Sequence, residues 1–93
     1  ALVTRALELS PDDPFILDSM GWIRFRRGDV PAALKYLERA YDIRPDAEIA
    51  AHLGEVLWSV ERREDANRLF DEALKAHPSR KVLADTVRRL RAE

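Results

Sequence analysis

The chain of 93 residues has no cysteine, only three glycines and no long run of apolar residues. Without cysteine it can form neither a disulfide nor a thiolate metal site nor a cysteine nucleophile, while the redox compartment stays open. The three glycines form no loop of the kind that cradles phosphate groups. The first residues, ALVTRALELSPDD, lack the apolar run of a signal peptide or a membrane span, so we predict no direct membrane contact in this segment. They begin inside an amphipathic pattern without a methionine, so we expect a piece of a longer protein.

Neither sign of charge is in excess, because 16 basic and 17 acidic residues give a formal net charge of −1. Such a balance produces no overall field that would attract nucleic acid or an anionic membrane. A basic group near the C-terminus contains no aromatic residue and is interrupted by Asp85 and Glu93; it comprises Arg80, Lys81, Arg88, Arg89 and Arg91. We therefore predict no nucleic-acid partner and interpret this group as the charged surface of a terminal helix.

The sequence does contain a repeat of small residues and prolines. Gly21, Ala33, Ala40 and Pro45 are each followed 33 positions later by the same residue type, at Gly54, Ala66, Ala73 and Pro78. Between these positions, apolar residues at helical spacing predict two helices in each copy. The constant interval therefore predicts two stacked copies of one helical hairpin.

Capping residues and prolines divide the chain into segments of one all-α domain, residues 1–93. Asp13, Asp29 and Asp46 are predicted to begin helices, and Ser79 is predicted to cap the last one. The predicted segments are the end of a truncated repeat at residues 1–10, a repeat at 14–45, a second repeat at 46–78 and a capping helix at 79–91.

The turn inside the second copy departs from the turn inside the first. Glu61 stands where Gly28 ends a helix, and Arg62 stands where Asp29 caps the next one. If Glu61 takes the left-handed conformation, the strain is on the order of 1 kcal/mol. We therefore predict that this turn is the weaker of the two.

The repeat resembles the tetratricopeptide repeat (TPR), whose pattern reads W-x2-L-G-x2-Y, then A-x3-F, then P. The matching residues are Leu17, Met20, Gly21, Arg24, Ala33, Leu37 and Pro45 in the first copy and Ala50, Leu53, Gly54, Leu57, Ala66, Phe70 and Pro78 in the second. Both Trp and both Tyr positions of the pattern are substituted. The resemblance implies a TPR-like α-α superhelix, an α-solenoid of stacked antiparallel hairpins with a C-terminal capping helix. Residues 45–58 also resemble the C-terminal repeats of larger TPR proteins from Gram-negative bacteria.

The resemblance further implies a binding surface, because the first helix of each hairpin lines a concave groove in such repeats. The candidate groove residues are Phe15, Asp18, Ser19, Trp22, Phe25, Arg26, Glu48, His52, Glu55 and Trp58. Four aromatic residues are many for a water-facing stripe, which favours a contact surface. Two alternatives stay open: Phe25 and Trp58 half-buried between repeats, and Phe15 and Trp22 packed on a preceding helix.

Catalysis and metal binding have weaker support in the sequence than a binding surface has. Glu48, His52 and Glu55 share one helical face, but no second helix offers an obvious further ligand for a tetrahedral site. The preferred interpretation is an ordinary solvated polar face. No serine or threonine lies in a nucleophile-elbow sequence. We predict no enzyme activity, no cofactor and no metal.

The leading functional hypothesis is a protein–protein interaction scaffold whose groove holds a peptide or helix of a partner of unknown identity. The aromatic and acidic groove favours a partner with apolar and some basic residues. One alternative is self-association into a homo-oligomer through the open N-terminal edge, because the apolar stripe of Leu2, Leu7 and Leu9 lacks its own hairpin partner. Another is an adaptor or regulatory domain of a larger bacterial protein. The compartment, cytoplasmic or periplasmic, is left open.

Overall fold

A computed structural model describes residues 12–92, which form five α-helices. They are α1 (Pro14–Arg26), α2 (Val30–Ile43), α3 (Ala47–Ser59), α4 (Arg63–Ala76) and α5 (Lys81–Arg91). Helix α1 packs on α2 and α3 packs on α4, while α3 also contacts α1, α2 and α5. The predicted all-α architecture of stacked hairpins is therefore confirmed. The predicted truncated repeat at residues 1–10 lies outside the described residues, and the division into repeat units stays a prediction.

Three aspartates cap the first three helices. The carboxylates of Asp13 and Asp46 each accept hydrogen bonds from two backbone N–H groups of the following turn, and Asp29 accepts one. The donor–acceptor distances lie between 2.9 and 3.4 Å. These contacts satisfy part of the unpaired N–H groups at each helix start, so the sequence alone places these three boundaries.

The start of α5 differs from the prediction. Ser79 does not cap it, because the helix begins at Lys81 with Arg80 in the N-cap position, and no side chain makes a capping bond there. The helix is held instead by its apolar face, on which Leu83, Val87 and Leu90 are buried. Lys81, Arg88, Arg89 and Arg91 on its other face are exposed, and the interpretation of α5 as a capping helix stays a prediction.

The glycines inside α1 and α3 permit close packing of each hairpin. A Cβ atom added at Gly21 would lie 2.7 Å from Leu37 Cγ and 3.2 Å from the Ala33 carbonyl oxygen. One added at Gly54 would overlap the ring of Phe70. The large side chain at the same place in each second helix therefore lies directly on the glycine. Leu37 and Phe70 are both fully buried, so these two contacts form the centre of the hairpins.

The two turns have the same unusual backbone conformation. Gly28 has φ 84°, and Glu61, at the corresponding position, has φ 67°. The left-handed conformation that the sequence analysis considered for Glu61 is therefore present, in a residue whose Cβ makes it unfavourable. The absence of a cap is also observed, because the Arg62 side chain makes no capping bond to α4.

Candidate functional site

The candidate groove residues all lie on α1 and α3, and the two helices contact each other. Their exposure separates them into three groups. Phe15, Ser19, Arg26 and Glu48 are exposed, Trp22, Phe25, His52 and Glu55 are half-buried, and Asp18 and Trp58 are buried. Asp18 and Trp58 have too little free surface to be main contacts for a partner. The assignment of these residues to a binding groove stays a prediction.

A cluster of three side chains, which we call the His52 cluster, joins α1 to α3. Its members are Asp18 and Trp22 from α1 and His52 from α3. The Nδ1 atom of His52 lies 2.8 Å from Asp18 Oδ1. The imidazole stacks on the indole of Trp22 with ring centroids 4.2 Å apart and an interplanar angle of 22°. Because Asp18 and Trp22 are one helical turn apart, both contacts come from the same face of α1.

The pKa of His52 is raised above its ordinary value of 6.5 by the balance of two opposing effects. Burial disfavours the charged imidazolium and lowers the pKa. The hydrogen bond and negative charge of Asp18, together with the charges of Glu48 and Glu55, raise it by more. The prediction that His52 belongs to an ordinary solvated face is therefore wrong, since the ring is held against a buried carboxylate.

Glu48 and Glu55 flank His52 on α3, but they do not complete a metal site. Across residues 12–92, no group of three or more His, Asp or Glu side chains is placed to hold a metal ion. Glu55 instead forms an ion pair with Arg89 of α5. Polar contacts therefore join α3 to α1 through Asp18–His52 and to α5 through Glu55–Arg89, and both pairs are 34 residues apart in sequence.

Other members of the C-terminal basic group are also paired. Arg91 contacts Asp71 at 3.0 Å and donates a hydrogen bond to Asn67 Oδ1 at 2.9 Å. Arg88 lies 3.4 Å from Asp85. The prediction of a charged helix surface did not include these partners of the arginines. The interval of 34 residues between Glu55 and Arg89 was the available signal, because a repeat brings such positions onto adjacent helices.

The four aromatic residues have different surroundings. Phe15 is 46% exposed, with the guanidinium of Arg44 5.4 Å from its ring centre. The Trp22 and Phe25 rings are 5.2 Å apart and tilted by 42°. Trp58 is only 8% exposed and lies under the guanidinium of Arg63 at 4.9 Å. The exposed aromatic surface is therefore concentrated on α1.

The ring nitrogen of Trp58 is a buried polar atom that sequence analysis did not anticipate. Within the part of the chain that the structure describes, its Nε1–H has no hydrogen-bond partner. Phe25 is half-buried and packs against the core, as one alternative expected, whereas Trp58 is buried more deeply than that alternative expected. The proposed packing of Phe15 and Trp22 on a preceding helix involves residues outside the described range.

Within residues 12–92, no helix combines the length and apolar character needed to span a bilayer.

Comparisons with known proteins address the resemblance to TPR proteins. No protein-family model matches the chain. The chain is 56% identical over 54 residues to the TPR repeat-containing protein PA4667 of Pseudomonas aeruginosa. The match covers 58% of this chain and 9% of the length of that larger protein. Together with the helical hairpins, this similarity confirms the resemblance to TPR proteins and the TPR-like fold.

Proposed function

We propose that this TPR-like chain is a protein-interaction scaffold in which α1 and α3 present a groove for an extended peptide or a helix of a partner. The similarity to a TPR protein supports the general role of a repeat scaffold for protein interactions. The observation that carries the finer proposal is the accessible aromatic and polar surface of α1 and α3, centred on Phe15 and Trp22.

Aromatic side chains at the surface favour binding because they bury a large area with few rotatable bonds. Phe15 is nearly half exposed, and Trp22 keeps part of its surface accessible beside the imidazole of His52. The contact of Trp22 with Phe25 restrains the indole ring before any partner arrives. A restrained surface loses less conformational entropy on binding, which supports a preformed site.

The charges around this surface support a partner with apolar and some basic residues. Glu48 is exposed and, among residues 12–92, makes no ion pair. Glu55 is already paired with Arg89, so Glu48 is the carboxylate best able to meet a basic side chain. Arg26 lies at the opposite end of the α1 surface, where it disfavours a partner that is basic along its whole length.

The test is a selection from a library of peptides displayed on phage, using the immobilised 93-residue chain. Selected peptides are then titrated into a Trp58→Phe variant, in which Trp22 is the remaining tryptophan. Binding at the proposed surface should shift the emission of Trp22 and weaken strongly in Phe15→Ala and Trp22→Ala.

Glu38→Ala provides the matched control, because Glu38 is exposed on α2. It should leave the affinity unchanged. Peptides that bind Trp22→Ala and Phe15→Ala as tightly as the unmodified chain would place the binding surface elsewhere.

Two other functions remain as proposals. Because the chain spans 9% of its larger bacterial relative, an adaptor or regulatory domain within a longer protein is consistent with the similarity. Self-association through Leu2, Leu7 and Leu9 involves residues outside the described range and stays a prediction. Light scattering over a dilution series tests it, since a molar mass that stays monomeric at every concentration removes it.

A further inference from the structure

The His52 cluster has a property that a simple binding surface does not require: a titratable ring covers the aromatic residue at the centre of the surface. The imidazole of His52 occupies one face of Trp22, and Phe25 lies 5.2 Å from the same indole. A partner that uses the covered face must first displace His52. Access to Trp22 therefore depends on how firmly His52 is held.

Asp18 is the group that holds His52. Its residue surface is only 6% exposed, and its single side-chain hydrogen bond within residues 12–92 is the one to His52. A buried carboxylate needs a hydrogen-bonded or charged partner, and an imidazolium satisfies it better than a neutral imidazole. Protonation therefore strengthens the contact, and loss of the proton weakens it.

We propose that Asp18, His52 and Trp22 form a proton-operated gate on the groove: protonated His52 is locked over Trp22, and neutral His52 releases it. This inference deepens the proposed function, because it assigns a regulation to the same surface. A partner that stacks on the covered face of Trp22 must break the Asp18–His52 contact. Its affinity should therefore be lower where His52 is protonated.

The charges near His52 determine the direction of its response to pH. Asp18 acts from α1, and Glu48 and Glu55 act from α3 itself. Arg89 of α5 acts through its ion pair with Glu55, which reduces the influence of that carboxylate. Among the described residues, charged groups of α2 and α4 are not among the causes of the raised pKa. The gate should therefore be closed below pH 6.5 and should open as the pH rises past the pKa of His52.

The first measurement needs no partner. In the 93-residue chain carrying Trp58→Phe, acrylamide quenching of Trp22 emission is followed between about pH 5.5 and 8.5. Quenching should increase with pH, with the same midpoint as the ring protons of His52 in NMR spectra. His77→Gln removes the other histidine of the chain and should change neither curve. Quenching that stays constant while His52 titrates would overturn the gate.

The second measurement separates the gate from a purely structural contact. Asp18→Asn keeps the shape of the side chain and removes its charge, so the midpoint of His52 and the midpoint of Trp22 quenching should move together to lower pH. Circular dichroism establishes that the variant is folded. An unchanged midpoint in the folded variant contradicts the proposal. In His52→Gln the quenching of Trp22 should no longer depend on pH, and a persistent dependence also contradicts it.

Peptides from the phage selection complete the test. They should bind the unmodified chain more tightly above the midpoint of His52 than below it, and His52→Gln should abolish that difference. Equal affinity at both pH values in the unmodified chain would refute the gate while leaving the binding surface intact. Failure to select any peptide would argue against the proposed function, whereas the quenching measurements would still decide whether His52 covers Trp22.

Discussion

The turn between α1 and α2 and the turn between α3 and α4 follow the same path with different residues. In the first turn, Asp29 N–H donates to Arg24 O at 2.9 Å; in the second, Arg62 N–H donates to Leu57 O at 3.0 Å. These donors and acceptors lie at corresponding positions of the two copies. Both turns also place a residue at positive φ. The packing of the helices therefore determines the backbone of the turn, and the local residues determine how unfavourable that backbone is.

The second turn is the less favourable one in two respects. Glu61 adopts a conformation that suits glycine, and Arg62 lacks a side-chain acceptor for the N–H groups at the start of α4. An ion pair between Arg62 and Asp65 at 2.9 Å is the local alternative to a cap. Because each of the two side chains is nearly half exposed to solvent, this pair adds little stability. The contact between Gly54 and Phe70 lies in the buried interior of the second hairpin, away from this turn.

The largest predicted effect comes from breaking that deep contact. Gly54→Ala would place a methyl group inside the ring of Phe70, so we expect the free energy of unfolding to fall by about 1 to 3 kcal/mol. Gly21→Ala is the matched control, because it meets Leu37 at 2.7 Å and requires a smaller shift. The helix-propensity gain is the same in both variants. Equal losses in urea denaturation would contradict the difference between the two hairpins.

The next effect comes from relieving the strain at the second turn. Glu61→Gly should raise the free energy of unfolding by on the order of 1 kcal/mol, because glycine adopts positive φ without a Cβ clash. The reverse change in the first turn, Gly28→Ala, should lower it by a similar amount, and the open space around Gly28 excludes a clash of the new methyl group with other residues. If both variants shift the thermal midpoint in the same direction, the strain is not the cause.

A smaller gain should follow from supplying the missing cap. Arg62 has φ −87° and ψ 58°, close to the φ −92° and ψ 75° of Asp29, so the backbone is ready for a capping side chain. Arg62→Ser should stabilise the chain by about 0.5 kcal/mol, at the lower end of the range for caps, because the ion pair with Asp65 is lost. Asp29→Ala gives the opposite change for comparison. If Arg62→Ser has a lower urea midpoint than the unmodified chain, the missing cap at α4 is not a source of instability.

The smallest effect concerns the contact between the two copies, and its sign follows from the raised pKa of His52. A raised pKa means that the folded state binds the proton more tightly than the unfolded state. The stabilisation is therefore complete below pH 6.5 and is lost as the pH rises through the pKa of His52 in the folded chain. Urea midpoints should fall with rising pH in the unmodified chain and in His77→Gln. If the urea midpoint of His52→Gln still falls with rising pH, another titratable group causes the loss of stability.

Regular features of the chain could be predicted from local sequence. Asp13, Asp29 and Asp46 mark helix starts because capping depends on residues only two or three positions apart. Gly21 and Gly54 mark the close packing because a glycine inside an apolar helix, recurring at a constant interval, leaves room for a neighbouring helix. Ser79 failed as a cap because Arg80 stands between it and the first residue of α5.

The exposure and the contacts of the candidate groove residues were predicted less completely than the fold. Helical spacing placed the candidate groove residues on one face of α1 and of α3, but it could not separate Phe15, which is exposed, from Trp58, which is buried. Exposure depends on which neighbouring helix covers each position, and that is not encoded within one helix. The buried state of Asp18 was missed for the same reason, since its partner lies 34 residues away.

Local sequence was sufficient to specify the type of the helices, most of their boundaries and the positions where two helices approach closely. These properties arise from short-range hydrogen bonds and from side-chain size. The packed arrangement of the helices was needed to establish that Glu61 adopts a strained turn, that Glu55 pairs with Arg89 and that His52 lies between a buried carboxylate and an indole. Each of these depends on the distance between helices far apart in sequence, and that distance is set when the whole stack packs.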